Sequence, residues 1–179
     1  MNTRIIACIL MLLTHQGFSQ TKDLINGSNE LRLNIPMTIA GLPEINYERI
    51  MDENLGLGLS LAVAAEKPDR MVYRGIIMPY SRLYFGKRKA SGFYIEANMA
   101  GVQQREIDSE WIGTDTSGFS VFKDVNRRSF NFGFGAAIGV KLIAKRGYVG
   151  DLYAGGGRLF GNSISGGYLR LGLALGKRF

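Results

Sequence analysis

The chain has 179 residues and 19.7 kDa, with a single His and a single Cys, a length that fits one compact domain and leaves little room for a two-domain enzyme. With 22 Lys and Arg against 15 Asp and Glu, the formal charge is +7 and the pI about 9.7, a balance that suits anionic surfaces or acidic partners without choosing among them. The 24 glycines, about twice the ordinary usage of ~7%, are too dispersed for collagen or a low-complexity linker, so the fold must account for them.

Residues 1–19 read as a secretory signal. Arg4 gives a basic start, Ile5 to Leu13 is an unbroken apolar run, and Gly17 and Ser19 place small residues ahead of a cleavage after Ser19. The run is far shorter than the ~20 residues of a spanning helix, and no other stretch comes nearer. The string Ile5-Ile6-Ala7-Cys8 is similar to a lipoprotein acylation box but has no apolar segment ahead of its Cys, so Cys8 reads as one residue of the signal. Cleavage removes Cys8 and His15, the only Cys and His, so the mature chain is expected to have neither a disulfide nor an imidazole.

After a short lead over 20–29, alternation of period two dominates, the mark of strands with one apolar face. Over 31–39 the odd positions are Leu31, Leu33, Ile35, Met37 and Ile39. A weaker segment at about 44–51 carries Ile45 and Tyr47. Over 55–63 the leucines at 55, 57, 59 and 61 and Val63 alternate with Gly56, Gly58, Ser60 and Ala62. Segments at about 74–85 and 92–102 follow, and then 130–142, where Phe130, Phe132, Phe134, Ile138, Val140 and Leu142 alternate with glycines, alanines and Lys141. A weaker strand at about 147–157 precedes the last, which sets Leu169, Leu171, Leu173 and Leu175 against Tyr168, Arg170, Gly172 and Ala174 and ends on Phe179. The spacing predicts eight strands, no helix, and no strand-helix-strand rhythm.

The residues opposite the apolar stripes are Gly, Ala, Ser, Asn and charged groups, among them Arg32, Glu48, Arg82, Glu96, Lys141 and Arg170. A globular surface would display more Lys and Glu and fewer glycines. Small residues mixed with charges of both signs suit the narrow interior of an eight-stranded barrel whose apolar face turns out to lipid. With both ends on one side, the turns at 51–54, 86–92 and 144–147 are short. The opposite connections at 40–43, 65–73, about 103–127 and about 158–166 are mostly longer, as outer-membrane barrels require. Aromatics at strand ends, Tyr47, Tyr73, Phe85, Phe93, Tyr148 and Phe179, suit interfacial girdles. Pro36 and Pro79 fall inside strand segments and imply bulges or lost ladder bonds.

On these features the chain resembles the small eight-stranded outer-membrane barrels of the OmpA/OmpX type. It is also similar to small barrel families that carry a Tyr-Glu-Arg element, here Tyr47-Glu48-Arg49, and an Arg-x-Tyr-Phe element, here Arg82-Leu83-Tyr84-Phe85. The resemblance covers about Glu30 to Phe179 and implies an all-β, antiparallel transmembrane barrel over 30–179. It also implies that the terminal Phe179 is the signal read by the outer-membrane assembly machinery.

Chemistry is constrained by the loss of His, which removes the usual activator of a Ser nucleophile and the commonest zinc and haem ligand. Asp108, Glu110 and Asp115 offer oxygen ligands for calcium but read as solvated loop acids. Glu48 and Glu96 share a face with Arg32, Arg82 and Arg170, so they read as members of an ion-pair network rather than as a general acid and base. Gly155-Gly156-Gly157-Arg158 lacks phosphate-loop spacing. The basic clusters Lys87-Arg88-Lys89 and Lys145-Arg146 fall in short turns and either meet lipid phosphates or are simply solvated. They lack the interleaved aromatics of a nucleic-acid surface.

The expectation is a monomeric, non-enzymatic outer-membrane barrel of a Gram-negative bacterium, without cofactor or metal. Its interior would be filled and without an open pore, its outer face against membrane lipid, and its role structural or recognitional. The 103–127 segment, with Trp111, Phe119 and Phe122, is the candidate site for an extracellular ligand. Two alternatives stay open: a secreted soluble barrel with the apolar stripes turned inward around a small apolar ligand, and a lipid-modifying barrel enzyme.

Overall fold

The structure, a computed structural model, describes residues 27–65, 73–114, 119–161 and 166–179, with backbone alone at 105–110, 114 and 121–128. The expected signal, with Cys8 and His15, lies outside the described residues, as does Asp115.

Alternating side chains build a single closed sheet from β1 (Asn29–Asn34), β2 (Glu44–Ile50), β3 (Leu55–Val63), β4 (Tyr73–Tyr84), β5 (Gly92–Thr114), β6 (Ser120–Ile143), β7 (Tyr148–Phe160) and β8 (Gly167–Arg178). Every neighbour is antiparallel and β1 closes on β8. Closure needs stagger. A line of paired residues leaving β5 at Gly92 passes Lys141, Asp151, Ala174, Asn34, Glu44, Ala62 and Ile76 and returns to β5 at Val102, ten residues further on. With a rise of ~3.3 Å per residue and strands ~4.8 Å apart, that stagger tilts the strands by about 40°. The start of β1, the end of β8 and the short turns lie at one end of the barrel, here the near end; the longer connections lie at the far end.

The pleat assigns the faces. In β2 burial alternates at every residue, with Glu44, Asn46, Glu48 and Ile50 inside and Ile45, Tyr47 and Arg49 outside. In β8 the four leucines 169, 171, 173 and 175 are exposed while Tyr168, Arg170 and Ala174 are buried. The barrel is therefore apolar outside and polar inside, the inverse of a globular core.

Two expectations from the sequence are corrected. The strand predicted over 31–39 ends at Asn34, and Ile35–Ile39 form a short helix, α1, where none was expected. Pro36 has no N–H to give a ladder and its fixed φ suits a first helical turn. The Ala40 and Leu42 amides donate to the carbonyls of Pro36 and Met37 at 2.9 Å each, and the Thr38 hydroxyl donates to the Asn34 carbonyl at 2.6 Å. The segment predicted as a loop over 103–127 is instead the far part of β5 and β6, paired with each other as far as Thr114 and Ser120. β4 leaves β5 at Gln104 and β7 leaves β6 at Phe132. Beyond those pairs the two strands continue as a free ribbon projecting about 30 Å from the wall, at ~3.3 Å per residue. Its register shifts between Trp111 and Gly113, where a φ of 147° calls for glycine.

Pro79 acts as its chemistry requires. The ladder with β3 runs through Leu59↔Pro79, but the ladder with β5 skips Met78 and Pro79, passing from Ile77↔Gly101 to Tyr80↔Asn98.

Candidate functional site: the barrel interior

Four inward tyrosines explain much of the glycine content. Tyr80, Tyr94, Tyr153 and Tyr168 pair across the ladders with Gly58, Gly139, Gly172 and Gly157. A Cβ on any of these glycines would collide with the ring opposite. Each ring covers the glycine opposite, in space left free only because that partner has no side chain.

The hydroxyls of Tyr80, Tyr94 and Tyr153 reach into a network of five cations, Arg32, Arg82, Lys141, Arg170 and Arg178, and five carboxylates, Glu30, Glu44, Glu48, Glu96 and Asp151, all buried, while Tyr168 donates to Asn98. Glu48 is its hub. Its Oε2 meets Arg32 at 2.5 Å and Arg82 at 3.1 Å, and its Oε1 meets Lys141 at 2.7 Å and accepts from the Tyr84 hydroxyl at 2.5 Å. Asp151 takes Arg82 at 2.7 Å and Arg32 at 3.1 Å, while the Tyr94 hydroxyl donates to its other oxygen. Glu96 joins Arg82 to Arg170 at 2.8 Å each. Nearest the chain ends, Glu30 binds Lys141 at 2.8 Å and Arg178 at 2.5 Å. The Arg82 guanidinium also lies 4.6 Å from the Tyr80 ring and 4.3 Å from the Tyr94 ring, and Lys141 sits 4.5 Å from Tyr84. Charges confined in a dry interior are tolerated only when paired and hydrogen-bonded, and here each carboxylate touches at least one cation.

All six charged residues singled out from the sequence, Arg32, Glu48, Arg82, Glu96, Lys141 and Arg170, thus fall together. Sequence reading set Tyr168 and Arg178 opposite the leucines of the last strand but missed Glu30, Glu44 and Asp151 and the inward Tyr80, Tyr84, Tyr94 and Tyr153. The signal was present, because Tyr80 and Tyr84 share parity with Arg82, Tyr94 with Glu96, and Tyr153 with Asp151. Glu48 and Glu96 do not form a carboxylate pair facing a cavity; cations separate and occupy both.

The near end is capped. The turn after β4 folds under the barrel, leaving Ala90 fully buried; its N–H donates to the Glu53 carbonyl at 2.6 Å and its carbonyl accepts from Arg178 at 2.9 Å. Toward the far end the charges give way to Met78, Ala100, Val102, Leu159 and Tyr168, with Tyr73 and Ile76 packed against them. Tyr73 therefore belongs to the interior and not to an outer girdle. Between the two regions the Arg170 guanidinium binds Glu44 at 2.7 Å, and Glu44 also accepts from Ser60 and Asn34.

On the outside, Phe85, Phe93, Tyr148 and Phe179 are exposed around the near end, with Phe85 and Phe93 stacked at 5.9 Å. Phe130, Phe132, Phe134 and Phe160 form a second exposed group toward the far end, with centroids of 5.8 Å for Phe132–Phe160 and 6.2 Å for Phe134–Phe160. Tyr47 is exposed between the two and donates to Asn29 at 2.8 Å. Phe179 is tied to β1 by reciprocal backbone bonds with Asn29 at 2.8 and 3.0 Å. Lys87, Arg88, Lys145 and Arg146 are exposed in near-end turns.

On the ribbon Trp111 and Phe119 are exposed; Phe122 pairs with Trp111 through its backbone, and its side chain lies outside the described residues. The same holds for the side chains of Asp108 and Glu110. Among the described residues no group of His, Cys, Asp and Glu is arranged to hold a metal, and no helix is long and apolar enough to cross a membrane. No family model, no curated protein and no solved structure matches the chain.

Proposed function

We propose that the chain is an outer-membrane β-barrel protein of a Gram-negative bacterium, exported by a cleaved signal and similar in architecture to the OmpA/OmpX type. In this reading it is a monomer and non-enzymatic, with a filled interior that carries no open pore, and it is structural or recognitional in role. The observation that carries this reading is the inverted polarity of the wall. Leu57, Leu61, Ile77, Ile95, Phe132, Ile138, Leu152, Leu171 and Leu173 all stand exposed around the barrel while the charges are inside. A soluble protein seldom exposes contiguous apolar surface beyond a few hundred Å², and a closed sheet is one of only two backbones that satisfy their hydrogen bonds within lipid. Aromatic groups at both ends of the apolar band suit the two interfaces.

A soluble barrel for a small apolar ligand would need these stripes inside, where the charged network lies. A lipid-modifying enzyme would need a free acid, base or nucleophile, whereas the interior carboxylates are engaged by cations. Phe179, outward and anchored at the near end, is positioned to be read by the assembly machinery, and the ribbon offers Trp111 and Phe119 to an extracellular partner.

Fractionation with gel mobility tests the reading. The protein should be extracted from outer membranes only by detergent and should migrate faster unboiled than boiled, because a closed barrel has no edge from which to unravel. Recovery from the periplasm or medium without detergent would contradict it.

A further inference from the structure

The wall is not equally complete along its height. The β1–β8 ladder stops at Asn34↔Ala174, whereas β7 stays paired with β8 as far as Arg158↔Gly167. The edge of β8 from Leu173 to Gly167 therefore has no ladder partner on the β1 side. β2 leaves β3 at Glu44↔Ala62, and the chain before it follows β3 only through the carbonyls of Gly41 and Pro43, which accept from the Ala65 and Val63 amides. α1 lies across this gap. The single turn is closed by the Ala40, Gly41 and Leu42 amides, which donate to the carbonyls of Pro36, Thr38 and Met37. Asn34 adds one bond, its side-chain amide donating to the Leu171 carbonyl at 3.1 Å. The patch is light: no residue of α1 is buried, and Ile39 is 82% exposed.

Behind α1 lies a cavity of about 30 Å³. Its lining combines Met37 of α1, the inward Met78, the half-buried Ile76, and the outward Leu169 and Leu171. Its lining thus draws on both faces of the wall. Inside it meets Met78 and the apolar cluster of the far half. Its polar floor is already engaged, since Ser60 and Arg170 both bind Glu44, so it offers no unpaired charge to a ligand.

We propose that this notch is a lateral binding site for the end of a lipid acyl chain, entering from the surrounding hydrocarbon between α1 and the free edge of β8 and resting on Met37, Ile76 and Met78. The proposal rests on the membrane reading above. The occupant follows from continuity: the mouth is part of the stripe Leu169, Leu171, Leu173 and Leu175, the face that reading sets against lipid. A space this small admits a chain tip and no headgroup. Two flexible Met side chains let it widen as the chain enters.

The test uses the refolded full barrel in vesicles of phosphatidylethanolamine and phosphatidylglycerol doped with a phosphatidylcholine that carries a diazirine near the end of one acyl chain. After photolysis, mass spectrometry locates the label. Labelling of both Leu173, on the outer face, and Met78, inside the wall, is the expected result. Label on Leu173 with none on Met78 overturns the notch while leaving the barrel in lipid. Label on neither overturns the membrane reading and the notch with it. Ala62→Phe, which fills the cavity from β3, should abolish the Met78 label and preserve that on Leu173; an unchanged Met78 label in this variant would place the chain elsewhere.

Discussion

From Glu30 up to Tyr80 and Arg82 the interior holds charges, tyrosine hydroxyls and a turn folded in as a cap. From Met78 outward it holds Met, Val, Ala, Leu and Tyr, with Gln104 and Asn131 hydrogen-bonded to each other furthest out, behind a short helix. The wall differs in step. Around Glu30, Glu48 and Lys141 the sheet is complete and β1 is paired on both sides; around Met78 β1 and β2 have ended and the edge of β8, which carries Arg170, is bare. The physical reason is the cost of an imperfect seal. A buried ion pair depends on the exclusion of competing partners and on geometry that holds every lone pair occupied, so a gap beside Glu48 would break the network. The gap beside Met78 has a mostly apolar lining, with Glu44 and Arg170 already paired to each other at its floor. The sheet is thus left incomplete away from the Glu48 hub.

The largest expected effect comes from breaking the charged half. Glu48→Ala leaves Arg32, Arg82 and Lys141 sharing fewer carboxylates, and removal of one member of a buried ion pair costs about 3–5 kcal/mol. Urea unfolding of the barrel in vesicles should show the midpoint falling accordingly, and a change below ~1 kcal/mol would mean that water, not carboxylate, balances these cations. Next, Leu173→Arg puts a charge on the outer face opposite Leu152, where Arg near the middle of the bilayer costs ~2–4 kcal/mol. If that variant unfolds like the wild type, the leucines do not face hydrocarbon.

In the far half, Met78→Ala should fall near the low end of the usual 2–5 kcal/mol for Met→Ala, about 2 kcal/mol, because the adjoining notch leaves Met78 less tightly enclosed and lets neighbours relax into the space. Equal losses for Met78→Ala and Glu48→Ala would erase the contrast between the halves. The smallest effect belongs to the ribbon. Trp111→Ala touches neither half and should leave unfolding within ~0.5 kcal/mol of the wild type, so any larger shift would show the ribbon packing on the barrel.

The parts of the fold legible in the sequence were those on which one face imposed a constraint. In β8 the leucines alternate with Tyr168, Arg170 and Gly172 because outer and interior positions differ in chemistry, and period two then reveals both the strand and its two faces. α1 was misread for a specific reason: Ile35, Met37 and Ile39 keep the odd-position rhythm of β1, and a single helical turn is too short to break a period of two. Only Pro36 signalled the change. The ribbon was misread for the opposite reason. Past Gln104 and Ser129 the two strands pair only with each other, so no neighbouring strand fixes their faces, and the pairing of Glu106 with Arg127 or Glu110 with Lys123 leaves no trace in hydrophobicity. In the interior, parity alone placed the charged residues, but the tyrosine-on-glycine pairs depend on cross-strand register, which the lengths of the connections do not reveal.

The central claim is that the apolar face looks into hydrocarbon while the charged face looks inward. A nitroxide scan of β8 from Leu169 to Leu175 in lipid vesicles tests it most directly, comparing collision with lipid-dissolved oxygen and with a water-soluble nickel complex. The account predicts a period of two, with labels at 169, 171, 173 and 175 open to oxygen and closed to nickel and labels at 170, 172 and 174 shielded from both. Nickel access at the four leucine positions would contradict it.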